Sequence, residues 1–312
     1  MTHYKTDHAF TGSLTGGALE PTFSGALSFM RRRFTRELSD VDVAIWGVPF
    51  DCATSNRPGA RFGPQAIRRA SAIFDGDPQY PSARDPFEQL RVIDWGDCVI
   101  DHARPQHAAQ MIEAAARPLL DAGVTLVTLG GDHAITLPLL RAHRDKHGPL
   151  ALVQFDAHQD TWDPGPDGFS HGSFVREAVR EGLIDIAHSI QIGIRTIAPE
   201  TCGVDMIDAY RCQEIGINGM VDAIRQRVGS KPAYLTVDID VLDPAFAPGT
   251  GTPVSGGLTS AQLLMALNKI MDLDWRGMDV VEVAPAYDHA DITAIAAATV
   301  VQHVLQGLAQ KR

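Results

Sequence analysis

In the segment LVQFDAHQDTW, residues 152–162, an apolar run from Leu152 to Phe155 gives way to Asp156, His158 and Asp160 at alternate positions. Side chains two apart in an extended segment point to the same side, so these three can converge. The pattern recurs. Asp132 and His133 follow the run TLVTLG (125–130), Asp238 and Asp240 follow AYLTV (233–237), and Glu282 lies within MDVVEVAP (278–285). Four carboxylates brought together in a partly buried place repel one another and carry a large desolvation cost unless cations neutralise them. Carboxylates with two imidazoles suit a hard or borderline ion such as manganese better than zinc in thiolate sites. The number of acids points to two ions sharing bridging carboxylates, about 3.5–4 Å apart in such sites.

A single D-x-H in a loop is ordinarily a solvated turn. Two acid pairs and two histidines at the ends of three apolar runs are not explained that way. Other polar residues have plainer roles. Asp243 before Pro244 is a turn residue, Asp132 a supporting carboxylate, and the acids of DHAD (288–291) are positioned for Asp288 or Asp291 to cap the last helix. The glycine-rich stretches PGARFGP (58–64) and PGTGTPVSGG (248–257) match neither the P-loop nor the dinucleotide fingerprint. They read as shaped loops that wall the site.

Elements able to position these residues are visible in the hydrophobic pattern. Apolar runs at 41–48, 89–94, 125–130, 151–155, 189–194, 233–238 and 278–283, with a short one near 205–207, alternate with amphipathic stretches near 64–74, 106–122, 134–147, 172–183, 217–229, 259–273 and 289–309. That alternation predicts an α/β fold, with a mostly parallel sheet of about eight strands covered by helices on both faces. In such a sheet ligands bind beyond the carboxyl ends of the strands, where the acids and histidines lie. Thr259 or Ser260 is placed to cap the helix that follows. No linker or repeat divides the chain, so one catalytic domain is expected over 41–312, preceded by an irregular N-terminal arm, 1–40.

The chain has 312 residues, 45% hydrophobic and 21% charged, and a formal net charge of −11. An acidic protein of this kind disfavours nucleic acid and anionic membrane as partners and mildly favours a cationic small molecule. Cys52, Cys98, Cys202 and Cys212 form no C-x-x-C pair and are expected as reduced thiols. The N-terminus lacks the basic start and apolar core of a signal peptide, and the apolar stretch 292–308 is interrupted by Gln302, His303 and Gln306. A cytoplasmic protein without a membrane span is the expectation.

Taken together, GGDH (130–133), FDAHQD (155–160), SHGSF (170–174), DIDVLDPAFAPGTGTP (238–253) and MDVVEVAPAYD (278–288) resemble the manganese ureohydrolases, the arginase and agmatinase family. The resemblance runs from about residue 40 to the end. RPGARFGPQAIR (57–68) and GGLTSAQ (256–262) are most similar to the bacterial agmatinase branch. The resemblance implies a three-layer α/β/α fold and two Mn2+ per subunit. It places one ion on His133, Asp156, Asp160 and Asp238, and the other on Asp156, His158, Asp238 and Asp240. It further implies a homotrimer or homohexamer, Glu282 orienting a guanidinium, Asp160 donating a proton to the departing amine, and His171 shuttling protons to solvent.

For the substrate, the segment between Asp160 and Phe174 carries Asp163 and Asp167 and no Lys or Arg. A guanidino substrate ending in an ammonium, such as agmatine, is favoured over one ending in a carboxylate. Trp162 and Gln159 depart from the family's usual Tyr and Thr or Ser. Trp162 can reshape the substrate channel by its bulk or a cation–π contact, which keeps a related guanidino-acid hydrolase open. A silent binding protein on the same fold would have lost a ligand or Glu282, and neither is missing. A single-metal amide hydrolase would not need both acid pairs.

Overall fold

The computed structural model describes residues 7–17, 20–74, 78–82, 84–165 and 169–312. Nine strands form one sheet: β1 (Arg33–Phe34), β2 (Val43–Val48), β3 (Val92–Asp97), β4 (Thr125–Gly130), β5 (Ala151–Phe155), β6 (Ile190–Ile194), β7 (Asp205–Asp208), β8 (Ala233–Asp238) and β9 (Trp275–Val281). Their order across the sheet is β1-β3-β2-β4-β9-β8-β5-β6-β7, and every pairing is parallel. The helices are α1 (His8–Thr11), α2 (Gly63–Ser71), α3 (Ala108–Asp121), α4 (Thr136–His147), α5 (Phe174–Arg180), α6 (Ala209–Val228), α7 (Ser260–Ile270) and α8 (Ile292–Ala309).

Strands β2, β5 and β8 are buried at every position, which is why they read as unbroken apolar runs rather than alternating ones. Their side chains nevertheless divide with period two. On β2, Val43 and Ile45 join the core beneath α2, α6, α7 and α8, whereas Ala44, Trp46 and Val48 join the core beneath α3, α4 and α5. Two separate cores therefore sandwich the sheet, as a three-layer α/β/α architecture requires.

The ninth strand comes from the N-terminal arm. Arg33 and Phe34 pair with Ile93 and Asp94 at the edge of β3, so the described part of the arm is not wholly irregular. Asp94 is the anchor: its carboxylate accepts from the Phe29 N–H at 2.7 Å, the Gly96 N–H at 2.9 Å, and Arg68 Nε and Nη2 at 2.7 and 3.0 Å. A two-residue strand is too short to show a hydrophobic period, and the Asp94 carboxylate ties the chain just before it to β3.

Helix starts follow local chemistry. Thr259 and Gln262 make a capping box at α7, and Asp288 receives the N–H groups of Thr293 and Ala294 at the start of α8. Asp291 instead turns outward to Arg69. Helix α8 has the length and hydropathy of a membrane span, but 78% of that window is buried in the protein, as befits a core helix.

Candidate metal centre and substrate cavity

All six predicted ligands converge beyond the carboxyl ends of β4, β5 and β8. His133 Nδ1 lies 3.0 Å from Asp156 Oδ2, 3.0 Å from Asp160 Oδ2 and 3.2 Å from Asp238 Oδ2. His158 Nδ1 lies 3.0 Å from Asp240 Oδ2 and 3.4 Å from Asp156 Oδ1. Two ligand groups result, His133–Asp156–Asp238 and Asp156–His158–Asp240, with Asp156 common to both. Its two oxygens face different histidines, the arrangement expected of a bridging carboxylate.

Backbone geometry aims these groups. After β5 the Asp156 side chain accepts the His158 N–H at 2.6 Å, and after β8 Asp238 accepts the Asp240 N–H at 2.8 Å. Each carboxylate thus curls the chain that leaves its own strand. Asp240 also accepts the Ala157 N–H at 3.0 Å, locking the two strand ends together. Asp160 and Glu282 adopt left-handed backbone conformations, φ 52° and 66°; Asp visits that region readily, whereas a Glu there is uncommon. Such strain concentrates at functional sites, where the surrounding structure enforces it.

The charge balance of this cluster indicates what it is built to hold. Burial and Asp240 push the Asp238 carboxyl well above the ordinary carboxylate range, and burial and Asp156 push Asp160 up to about 7. Burial opposes charge on His158, yet Asp240 and Asp156 raise it to about 12. So many buried carboxylates call for positive charge among them, from protons or from cations. Divalent cations take over that role and displace the protons on binding. His133 Nδ1 is buried among three carboxylate oxygens without an aligned hydrogen bond to any of them, while its Nε2 lies 2.8 Å from Thr236 Oγ1. One nitrogen is thus oriented by the protein and the other is presented to the cluster, as metal-binding imidazoles require. The donor set fits two hard or borderline divalent ions.

A cavity of about 280 Å³ opens onto this cluster, lined by Ser55, Trp162, Ser170, His171, Gly172 and Thr252 together with four of the ligands. Among the described residues, neither Lys nor Arg lines it. His171 Nδ1 stands 2.9 Å from Glu282 Oε1, which also accepts the His133 N–H at 2.9 Å. The second oxygen of Glu282 is buried and has no hydrogen-bond partner among the described residues. Burial opposes charge on His171, but Glu282 and then Asp132 raise its pKa to about 9.

The structure treats the remaining sequence expectations unequally. Trp162 lines the cavity, its ring 6.4 Å from that of His158. Asp163 does not: its carboxylate accepts the Gly165 N–H at 2.8 Å, its side chain is 76% exposed, and Arg176 stands 4.0 Å away. An Asx turn at the surface, next to an arginine just beyond the segment considered, removes the acidic-loop argument as far as Asp163 is concerned. Asp167 lies outside the described residues. Asp132 accepts from the Ala53 and Ala134 N–H groups, and Asp243 from those of Ala245, Gly256 and Gly257, so both act on loops.

Ser55, Ser170, Thr252 and Gln154 were not singled out from the sequence. Gln154 had a usable signal, because it precedes Asp156 by two on the same strand; its amide donates to Asp156 Oδ2 at 2.7 Å. Ser55 had none, since it reaches the site through a loop whose path no periodicity encodes.

Comparison with known proteins agrees with this geometry. The arginase family model matches residues 41–306. An agmatinase of Chromobacterium violaceum is 50% identical over 287 residues, covering 91% of this chain and 89% of that protein. The crystal structure of a hypothetical agmatinase from Burkholderia thailandensis superposes with a TM-score of 0.95 at 49% identity, covering 98% of both chains. Proclavaminate amidino hydrolase from Streptomyces clavuligerus follows at TM-score 0.89 and 40% identity, covering 94% of this chain and all (100%) of its own. With the family model spanning most of the chain and close relatives aligned almost end to end, this protein is a member of the arginase family.

Proposed function

We infer that this enzyme is a manganese-dependent agmatinase, converting agmatine and water to putrescine and urea. One observation carries the reading furthest: two ligand groups sharing Asp156 open onto a cavity lined by His171, which pairs with Glu282, and among the described residues that lining includes no Lys or Arg. The agmatinase relatives support it. A described lining without Lys or Arg supports a tail that ends in an ammonium over one that ends in a carboxylate, for which Arg is the ordinary bidentate partner.

His133, Asp156, Asp160 and Asp238 would hold one ion, and Asp156, His158, Asp238 and Asp240 the other. Such ions lower the pKa of bound water toward neutrality and so supply a nucleophile to a poor electrophile. The chain's own residues do the rest. Glu282, held by the His133 N–H and His171, directs its unpartnered oxygen to the guanidinium N–H groups and fixes the carbon's position. Asp160, buried beside the cluster, takes a proton from water and returns it to the amine nitrogen as the C–N bond breaks. His171 exchanges protons between the site and solvent. Trp162 bounds the tetramethylene chain, while Asp163 is left out of the proposed site.

We further propose a cytoplasmic homo-oligomer, trimeric or hexameric, as the family resemblance implies. The test of function is urea release from agmatine by protein loaded with Mn2+ and by the same protein after chelation. Metal-dependent urea with stoichiometric putrescine is the expected result. Absence of urea at full metal content contradicts the assignment.

A further inference from the structure

The ring nitrogen of His171 that faces away from Glu282 is capped by one residue. Ser55 approaches Nε2 with its backbone N at 3.0 Å and its hydroxyl Oγ at 2.7 Å. A backbone N–H only donates, so in the neutral imidazole that these contacts describe Nε2 accepts and the proton resides on Nδ1, facing Glu282, whose charge favours a second proton on the ring. The tautomer of His171 is therefore written into the path of the loop between β2 and α2.

That path is held from several sides. The Ala53 N–H donates to Asp132 Oδ2 at 2.9 Å, the His171 N–H donates to the Ala53 carbonyl at 3.2 Å, and Asn56 Nδ2 donates to the Gly251 carbonyl at 3.0 Å. Asp51 accepts the Gly59 N–H at 2.7 Å and closes the far end of the loop. Ser55 itself is exposed, whereas His171 is buried, 8% accessible. The serine thus stands between a buried imidazole and bulk water.

We propose that Ser55 is a positioning residue for the reaction, its hydroxyl carrying protons between His171 Nε2 and solvent. This inference rests on the ureohydrolase reading above. Hydrolysis of a guanidinium places both protons of water on the departing amine, so any proton that leaves the site in one step must return in another. Inward, Oγ–H donates to Nε2 as water refills Oγ, and the imidazolium so formed passes its Nδ1–H into the site, leaving one proton on Nε2. Outward, a proton returning to Nδ1 forms the imidazolium again, which gives its Nε2–H to Ser55 Oγ as the Oγ–H passes to water, and the Nδ1–H ring is restored. The backbone N–H of Ser55 cannot accept in the outward step; only the hydroxyl can. The acidic groups acting on His171 are Glu282 after β9, Asp132 after β4 and Asp160 after β5, and all three are buried.

Replacing the hydroxyl separates relay from structure, because Ser55→Ala keeps the backbone N–H and its hold on the tautomer. A water can fill part of the gap, so the expected loss in kcat is partial, roughly tenfold. KM for agmatine and manganese content should stay within twofold of wild type. Ser55→Thr should restore turnover. In the Ala variant, but not in wild type, kcat should climb with imidazole buffer concentration, as small bases accept the proton directly. An unchanged kcat in Ser55→Ala overturns the proposal. So does a raised KM with no buffer dependence, which would make Ser55 a substrate contact. A metal-loaded wild type that releases no urea would instead overturn the ureohydrolase reading, and this inference with it.

Discussion

His171 Nδ1 and Glu282 Oε1 meet at 2.9 Å although 111 residues separate them in the chain. The contact joins the loop after β5 to the end of β9, and it couples the group that orients a guanidinium to the group that moves protons. Glu282→Gln keeps the shape and removes the charge. We expect kcat/KM for agmatine to fall by about 2–4 kcal/mol, with manganese content unchanged. His171→Asn should lower kcat about a hundredfold. Because the two act as a unit, the double variant should lose less than the sum of the single losses, which steady-state kinetics on all four proteins will show.

Asp156 belongs to both ligand groups, Asp240 to one. Asp156→Asn should therefore deplete both ions, whereas Asp240→Asn should retain about one per subunit. Elemental analysis after dialysis distinguishes these outcomes. In the wild type, Mn2+ should raise the thermal midpoint, since an ion at a hundredfold over its Kd adds about 2.7 kcal/mol to the folded state. Calorimetry with and without chelator measures the shift.

The metal centre was more legible in the sequence than the surroundings that tune it. Asp156, His158, Asp238 and Asp240 announce themselves because alternation along an extended segment converts spacing directly into shared direction. Glu282 and His171 depended on motif context, since a lone Glu in a strand end or His in a loop carries no geometric signal. Strands such as β4, β5 and β8 fall where the apolar runs lie, whereas β1 is two residues long and is held by Asp94 from another strand. Asp163 shows the converse failure. Its charge was visible, but the Asx turn and Arg176 that take it away from the cavity are matters of loop path.

His143 offers a test that no metal enters. The imidazole is wholly buried on α4, Nδ1 lies 2.8 Å from the Leu139 carbonyl oxygen, and burial lowers its pKa to about 4. A folded pKa below the unfolded value means that the unfolded chain takes up the proton first as pH falls. Stability is thus intact above about 6.5 and is lost progressively down to about 4, by roughly 3 kcal/mol from this group. His143→Leu should flatten the acid side of the stability profile by that amount. Urea denaturation of both proteins at pH 7 and pH 4.5 gives the difference.

Arg68 is buried between Asp94 at 2.7 Å and Asp97 at 2.6 Å, joining α2 to β3. Arg68→Met leaves the wholly buried Asp94 without its cation and should cost about 3–5 kcal/mol. Restoring charge balance with Asp94→Asn in the same chain should recover part of that loss, as equilibrium denaturation will measure.

The central claim is that an enzyme with two shared-carboxylate metal sites acts on a guanidinium whose far end is cationic. Its most direct test is kcat/KM for urea release from agmatine, arginine, 4-guanidinobutyrate and 3-guanidinopropionate, measured on one manganese-loaded preparation. The cavity lining predicts agmatine ahead of each carboxylate-bearing compound by at least about a hundredfold, the discrimination of an unpaired buried charge. A guanidino acid turned over faster than agmatine would contradict it.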